Sequence, residues 1–542
     1  MRDLQEFSSF PMPLKTENLL HKSAIFFILF LVALGVRLIA LKQNYVIAQD
    51  GTFYITMAKL YFAGQYHHEI FRDYAYYGFF PLFIVPLYKV FGDWVLAGQL
   101  VATLCGALTV IPLYLLARKI FDERIALWGS IFYIICPNLV QYSAEVLRDI
   151  PFVFFYITAL WCGYKGIKEG NVIIIGFGGL SIALCTSLRI EGLTLLVSLP
   201  LFLFWHGVKN EIPWKRSLIA LAVFFASVLS ILAILGLLFS QKGIKIGEIQ
   251  ASSVKNVLNV KTIGSQTIEN IEKEVEEEVI SHEGRSFFNL AKKHRFILYS
   301  SHLLFKTIKV FNLLFPLFLF GLMKRREIGY RLDEFLLFTI YVTLVSVFLL
   351  YLNKSNYLST RHPFPLVVPS LIWSGVGFVE FKERVALWIK EKDFPLREWV
   401  ARWITPLLLL IICIPLLLMA WAPNRRDKLE LKEIGLWLKH NGHAQSIVTG
   451  QLDFPRLAFY AEGDFIPLPR GSYEDIVRFS KEKKANLLVI NGKTIDRFSP
   501  NFLNSVSDRD LQRIYIPGIK TPKYATLVFQ VKDLKGKALN PR

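Results

Sequence analysis

Charge is scarce in this 542-residue chain: 19% of its residues are Asp, Glu, Lys or Arg, whereas 53% are hydrophobic. Its mean hydropathy is +0.41. A soluble protein of this length carries more charge and does not hold repeated apolar runs of about 18 residues or more. The chain therefore reads as a polytopic membrane protein. Cysteine is scarce too. The five cysteines, Cys105, Cys136, Cys162, Cys185 and Cys413, all fall inside apolar runs and none sits at CxxC spacing, which leaves them as packing residues rather than disulfides or metal ligands. In the tail from about Asn424 neither a GxGxxG nor a P-loop is present, so nothing marks it as a nucleotide binder, and no inverted repeat of the transporter kind is visible in the chain. The N-terminal segment "MRDLQEFSSFPMPLKTENLLHKS" lacks the short apolar core and small-residue cleavage site of a signal peptide.

What is present is a series of apolar runs. About eleven spans are expected, at 24–42, 95–117, 124–141, 150–164, 171–188, 192–208, 217–240, 303–323, 335–352, 363–381 and 403–422. The stretch Tyr77–Gly92, interrupted by Pro81 and Pro86, is expected to lie at the interface or re-enter. Short basic clusters occupy alternate loops: Arg118, Lys119 and Arg124; Lys165 and Lys168; Lys209, Lys215 and Arg216; Lys324, Arg325, Arg326 and Arg331; and Lys382 through Arg402. With eleven spans all of them fall on one side, which the positive-inside rule makes cytoplasmic. The N-terminus (1–23) is then cytoplasmic, and 24–423 is the membrane domain. Loops 43–94 and 241–302 and the tail 424–542 face outward. The formal net charge of +19 is largely the cytoplasmic rim and calls for no nucleic-acid partner.

The tail alternates helical and β-rich runs: "LKEIGLWLKHNG" closed by Gly442, the strand "QSIVTG", "PRLAFYAEG", the helical "SYEDIVRFSKEKKA", then strands "NLLVING" and "YATLVFQV". That pattern predicts a small extracytoplasmic α/β domain of about 120 residues, large enough to fold alone. The loop 241–302 carries the acidic run "ENIEKEVEEEVISHEGR", read as a solvated helix or a mobile lid.

Ionisable residues near span ends are costly and invite a functional explanation. Asp50 follows the first span at the head of a short helix. There Tyr54, Met57, Ala58 and Tyr61 form an apolar face suited to the interface, and Thr52, Thr56 and Lys59 lie on the other side. Asp50 can also be read as a helix cap. Glu145, Arg148 and Asp149, at i, i+3 and i+4 before the fourth span, would share one helical face. In the bland reading Asp149 caps that span while Arg148 pairs with Glu145. Arg189 and Glu191 occupy the turn between the fifth and sixth spans, where a polar turn is ordinary. Arg361, with Tyr357, Lys354 and His362, forms a cationic and phenolic cluster that suits a lipid phosphate or a plain headgroup anchor. The "HHE" run, His67, His68 and Glu69, with Arg72 and Asp73 nearby, tempts toward a metal, but adjacent histidines point apart. Carboxylates and cations gathered on one side of a membrane suit a transfer reaction, in which an acid takes a hydroxyl proton while Arg and Lys stabilise a departing phosphate.

The stretches "QDGTFYITMAKLYFAGQ", "FFPLFIVPLYKVFG", "YLLARKIFDERIALWGSIFYIICPNLVQYSAEVLRD", "LRIEGL" and "STRHPFPLVVP" resemble the GT-C membrane glycosyltransferases. The branch they resemble contains the protein O-mannosyltransferases of glycosyltransferase family 39 and the aminoarabinose transferases of lipid A. The tail from "ELKEIGLWLKHNG" resembles the periplasmic domains of bacterial members. The resemblance implies a sugar donor carried on polyprenyl phosphate and inversion at the anomeric carbon. It implies Asp50 as general base, and Asp149 as the second acid with Glu145 and Arg148 beside it. Arg361 is the implied ligand of the donor phosphate, with Lys59 as a further candidate; Arg148 and Tyr357 are added as phosphate-binding candidates from their place at the outer mouths, and Arg189, Glu191 and His362 are other candidate site residues. "DG" stands here where many mannosyltransferases have "DE". Relatives differ in needing a divalent metal, and the resemblance leaves metal dependence open. The acceptor is a protein, a lipid such as lipid A, or a glycan, and membrane lipids are further partners. A bacterial inner membrane with the site in the periplasm is expected from the tail and the lack of a retention signal. Alternatives are a polysaccharide ligase or polymerase, a lipid or sugar transporter, and an assembly subunit.

Overall fold

The computed structural model describes residues 17–65, 79–209, 213–240, 290–328, 332–391, 397–451, 454–516 and 526–532. The acidic run of loop 241–302 and the "HHE" stretch lie outside them. Two compact units are present, Met1–Leu41 with Met57–Ala422, and Lys42–Thr56 with Pro423–Arg542.

The first unit is helical. In chain order its helices are α1 (Glu17–Lys42), α2 (Gln49–Phe62, its last turns), α3 (Phe80–Phe91), α4 (Trp94–Leu108), α5 (Val110–Ile120), α6 (Glu123–Ile135), α7 (Pro137–Ser143), α8 (Asp149–Glu169), α9 (Val172–Leu188), α10 (Leu195–Val208), α11 (Trp214–Ser240), α12 (Arg295–Phe311), α13 (Phe315–Ile328), α14 (Phe335–Ser355), α15 (Phe364–Glu391) and α16 (Arg397–Ala420). Every expected span is helical. Among the described residues 8 helical stretches are long and apolar enough to cross a membrane, or 9 if α6 and α7, bent by 57° at Cys136, form one span. The fifth and eleventh expected spans fall short of that length, the apolar parts being Val172–Leu188 and Pro406–Ala420. Helix α3 runs unbroken through Pro86, contrary to the expected interruption, with Pro81 in its first turn, where a missing N–H costs nothing. Its 12 residues rise only about 18 Å, too short to cross.

Two local devices shape the part that matters for function. Helix α8 ends at Gly170 in the left-handed conformation (φ 66°), and the Asn171 side chain then caps α9 by accepting from the Ile173 and Ile174 N–H groups at 3.1 and 3.2 Å. The two helices therefore run antiparallel, packed through Gly166, where a Cβ would sit 2.9 Å from the Ile175 backbone nitrogen. Helix α15 is gripped the same way: Gly377 faces the Leu317 carbonyl of α13 and Gly375 faces the Gly129 backbone of α6.

The second unit holds a five-stranded sheet of order β2-β1-β3-β5-β4, with β1 Ile447–Gly450, β2 Asp464–Pro467, β3 Leu487–Asn491, β4 Leu511–Ile514 and β5 Thr526–Val531. The first three strands are mutually parallel and β5 is antiparallel to β3 and β4. β2 and β4 carry no strand signal in the sequence; both are four-residue edge strands whose pairing comes from their neighbours. In β3, Leu487 and Val489 join a core with Ile434, Leu438 and Leu457, while Leu488 and Ile490 join a second core with Ile476, Val477 and Phe502. Both faces are covered, which explains a strand that is apolar throughout. Helix α17 (Leu429–Leu438) and helices α18 (Pro455–Tyr460) and α19 (Tyr473–Glu482) supply those faces, and Gly442 (φ 83°) closes the turn after α17 as expected.

Candidate functional site

The open end of the α8–α9 hairpin brings the first residue of α8 opposite the last turn of α9. Asp149 is that first residue and is 2% exposed. Arg189, 8% exposed, follows α9 in extended conformation, and Glu191 lies in the 3-10 turn Ile190–Thr194. One guanidinium NH2 group of Arg189 binds Asp149 Oδ1, and the other binds Glu191 Oε1. Arg189 Nε completes the fork, donating to Glu191 Oε2 at 3.3 Å. Burying carboxylates among apolar helices is costly unless a cation meets them, so Arg189 is the counter-ion this pair requires. Its guanidinium also lies 5.6 Å from the Phe152 ring centroid.

Arg361 closes the cluster from the turn before α15. Its NH1 lies 3.6 Å from Asp149 Oδ2, and its side chain keeps 25% exposure. The next residue, His362, accepts the Ser359 backbone N–H at Nδ1 (2.9 Å) and packs on Tyr351 with ring centroids 5.2 Å apart. Burial first, and then the positive charge of Arg189, lowers its imidazole to about 4, so the ring is neutral at ordinary pH.

Several expectations need correction. Helix α7 ends at Ser143 and α8 begins at Asp149, so Glu145, Arg148 and Asp149 share no helical face; residues 144–148 form a turn. Asp149 is not a cap: it is helical, its carboxylate is spent on arginines, and Arg148 holds the cap position. Arg189 and Glu191 are not an ordinary polar turn, because both are buried in an ion-pair chain. Glu145 is 1% exposed and Arg148 is partly buried. Tyr357 is 61% exposed, turned to solvent or lipid rather than packed into the cluster. Lys59 is partly buried on α2. In the second unit, Asp50 lies in the first turn of α2 rather than at its cap and is partly buried. Tyr54, Met57, Ala58 and Tyr61 are buried rather than laid on an interface, and Thr52, expected on the opposite side, is buried as well.

Two features escaped the sequence reading. Arg37, in the middle of an apolar run, is fully buried, donating to Ser143 Oγ (3.2 Å) and the Ala33 carbonyl (3.1 Å) and stacking 4.8 Å from the Tyr133 ring centroid. A lone cation inside a span was the available signal. At the other end of α8, Lys168 pairs with Asp333 at 2.7 Å and Tyr164 donates to the same carboxylate at 3.0 Å. These partners are far apart in sequence, and no local pattern announces them.

Among the described residues no three His, Cys, Asp or Glu side chains converge as ligands for a metal. The acids of this cluster do not fit one: Asp149 gives one oxygen to Arg189 and the other to Arg361, and Glu191 gives both to Arg189.

The fold has counterparts among solved structures. The oligosaccharyltransferase of Archaeoglobus fulgidus, solved with zinc and sulfate, superposes with a TM-score of 0.55 at 14% identity, covering 91% of this chain and 73% of that one. ArnT of Cupriavidus metallidurans, solved with undecaprenyl phosphate, superposes with a TM-score of 0.51 at 11% identity, covering 95% and 98%. The fold is GT-C. The family model described as dolichyl-phosphate-mannose-protein mannosyltransferase matches residues 79–231, which hold the α8–α9 hairpin. A dolichyl-phosphooligosaccharide-protein glycotransferase of Pyrococcus horikoshii is 29% identical over 163 residues, 27% of this chain. The chain spans 21% of that relative's length.

Proposed function

We propose that this protein is an integral membrane glycosyltransferase that moves a sugar from a polyprenyl-phosphate donor to an acceptor outside the cytoplasm. The observation that carries the reading is the Arg361–Asp149–Arg189–Glu191 chain. Two carboxylates are matched there against two guanidiniums, with Arg148 beside Asp149 as a third cation. Arg361 is the member with exposed surface. Such a group suits the phosphate of a lipid carrier. Support comes from neighbours of the same fold: ArnT was solved with undecaprenyl phosphate and the archaeal oligosaccharyltransferase AglB with a dolichol-phosphate and an inhibitory peptide.

In this reading the acceptor hydroxyl oxygen attacks the anomeric carbon as the bond from that carbon to the phosphate oxygen breaks, in one inverting displacement. The hydroxyl proton passes to Asp50. The departing polyprenyl phosphate keeps the bonding electrons, and Arg361 stabilises the charge that develops on it. Asp149, clasped by two arginines, is a poor proton acceptor and orients those arginines instead. Lys59 supports phosphate binding, and Glu145 and Glu191 hold the charge balance. The alternating basic clusters support a cytoplasmic N-terminus and an extracytoplasmic C-terminal domain, and the resemblance of the tail supports a bacterial inner membrane. The sugar is a hexose or pentose, and the acceptor a protein, a lipid A-like lipid or a glycan.

The test is release of free polyprenyl phosphate from a panel of polyprenyl-phosphate sugars by protein in proteoliposomes, with a membrane extract as acceptor source. Sugar-dependent release by the wild type, lost in Asp50→Asn, is the expected result. Donor binding without release from any donor would turn the reading toward a carrier.

A further inference from the structure

The 43–48 segment, between α1 and α2, has no helix or strand of its own, so its backbone groups must find partners elsewhere. They find them in the C-terminal domain. The Tyr45 N–H donates to the Asn424 carbonyl at 3.2 Å and the Asn424 N–H to the Gln43 carbonyl at 2.9 Å, an isolated parallel bridge centred on Asn44 and Asn424. Lys432 Nζ donates to the Tyr45 carbonyl at 3.2 Å and lies 5.5 Å from the Tyr460 ring centroid. The Ile47 peptide is held on both sides: its N–H donates to the Tyr460 hydroxyl at 3.3 Å, and its carbonyl accepts from Arg456 Nε at 3.0 Å. Arg456 is 5% exposed and Tyr460 9%. Val46, Ile47 and Ala48 are 1%, 2% and 4% exposed. Asp50 follows three residues after Ile47, in the first turn of α2.

We infer that Arg456, Tyr460 and Lys432 are positioning residues for Asp50, so that the C-terminal domain acts as a clamp on the loop that carries the general base. The inference rests on the assignment of Asp50 as that base. A buried guanidinium and a buried phenol trained on one peptide do more than cover apolar surface: they fix the height and direction at which α2 starts. A carboxylate that must meet an acceptor hydroxyl within hydrogen-bond reach loses rate when its helix start drifts by about 1 Å. These three hydrogen bonds go to main-chain atoms of Tyr45 and Ile47, so they do not depend on the side chains at those two positions. The same arrangement gives the C-terminal domain a catalytic duty through the position of Asp50.

The full-length protein in lipid nanodiscs tests this with Arg456→Met, Arg456→Lys and Tyr460→Phe, beside Asp50→Asn. Amide exchange is followed in 43–56, with β1 and β3 of the same domain as controls, and kcat and donor KM are measured per folded molecule. Arg456→Met is expected to speed exchange in 43–56 about tenfold or more, the loss of one charge-assisted hydrogen bond, while β1 and β3 stay protected. kcat should fall by a similar factor with donor KM unchanged, and Arg456→Lys, which still offers a donor, should recover most of it. Tyr460→Phe should move in the same direction by about threefold, one neutral hydrogen bond. A purely structural role would raise exchange across the whole domain and leave kcat per folded molecule unmoved, which overturns the clamp. Unchanged exchange in 43–56 overturns it as well. Activity lost in Asp50→Asn but intact in both Arg456→Met and Tyr460→Phe overturns the clamp alone. Activity retained in Asp50→Asn overturns the base assignment, and the catalytic half of this inference with it.

Discussion

Arg361 and Arg189 take opposite oxygens of one carboxylate: Arg189 holds Oδ1 of Asp149, and Arg361 lies 3.6 Å from Oδ2. The two arginines nevertheless differ in surroundings. Arg189 is enclosed with both of its acids, whereas Arg361 presents a quarter of its side chain outward. That difference separates a structural cation from one able to meet a ligand, and it sets apart the consequences of changing each.

Arg361→Ala should leave folding close to wild type, because a partly exposed ion pair contributes little. It should weaken donor use strongly, with kcat/KM for release of polyprenyl phosphate falling about 10²-fold or more. Arg361→Lys should recover only part of this, since an ammonium lacks the planar fork. Equal activity of Arg361→Ala and wild type across donor concentrations would remove Arg361 from phosphate binding.

Arg189→Ala should behave differently. It strands the buried Glu191 carboxylate and takes one of two guanidiniums from Asp149, and breaking a buried pair costs about 3–5 kcal/mol. The variant should show a lowered melting temperature in detergent and a reduced folded yield. Removing the acids together with the arginine, as Arg189→Met with Asp149→Asn and Glu191→Gln, should restore much of the stability without restoring activity. A melting temperature for Arg189→Ala equal to wild type would contradict the enclosed ion-pair chain.

The His362 ring gives a pH signature. Its pKa sits at about 4 in the folded protein, against about 6.5 for an ordinary histidine. Between those values the unfolded chain binds a proton that the native protein refuses, so the stability associated with neutral His362 is complete above about pH 6.5 and is lost as pH falls through 4. Protonation also removes the Nδ1 lone pair that accepts the Ser359 N–H. His362→Asn, whose side-chain oxygen can take that bond, should flatten the fall in melting temperature between pH 6.5 and 4. Melting curves of both proteins across that range, with identical slopes, would show that this histidine does not titrate there.

Gly377→Val should prevent correct assembly of the membrane unit. A Cβ at Gly377 would strike the Leu317 carbonyl of α13, and backbone cannot step aside as a flexible side chain can. Overpacking of this kind costs about 1–3 kcal/mol or more. Because α15 follows directly on Arg361 and His362, donor use should fall along with folded yield. Fluorescence-detected size-exclusion profiles report the yield, and the release assay reports the rest. A monodisperse, fully active Gly377→Val protein would deny the close crossing.

Much of the membrane unit was legible in the sequence because a span is written in local terms, as a run of apolar residues with basic loops on alternate sides. The helices appear where those runs are, and Arg361 stood out as a cation beside a span. The part that was not legible concerns partners. Arg189 looked like an ordinary turn residue because its two acids, one of them 40 residues away, become neighbours only when α8 and α9 pack antiparallel. The helical face expected for Glu145, Arg148 and Asp149 failed because spacing was read through a break after Ser143 that apolar composition does not reveal. Strands β2 and β4 were missed for a related reason, their pairing being set by neighbours rather than by four residues of weak propensity.

By itself, the sequence determined the class of the molecule, the order of its helices and the presence of an α/β domain at its end. Hydropathy and periodicity fix these residue by residue, within a window of one turn or one strand. Only the tertiary structure decided which charges meet, that Asp149 is clasped rather than free, and that segment 42–56 is grouped with the C-terminal domain. Those outcomes follow from packing, since a buried charge or an unpaired peptide group must find its partner wherever the fold supplies one.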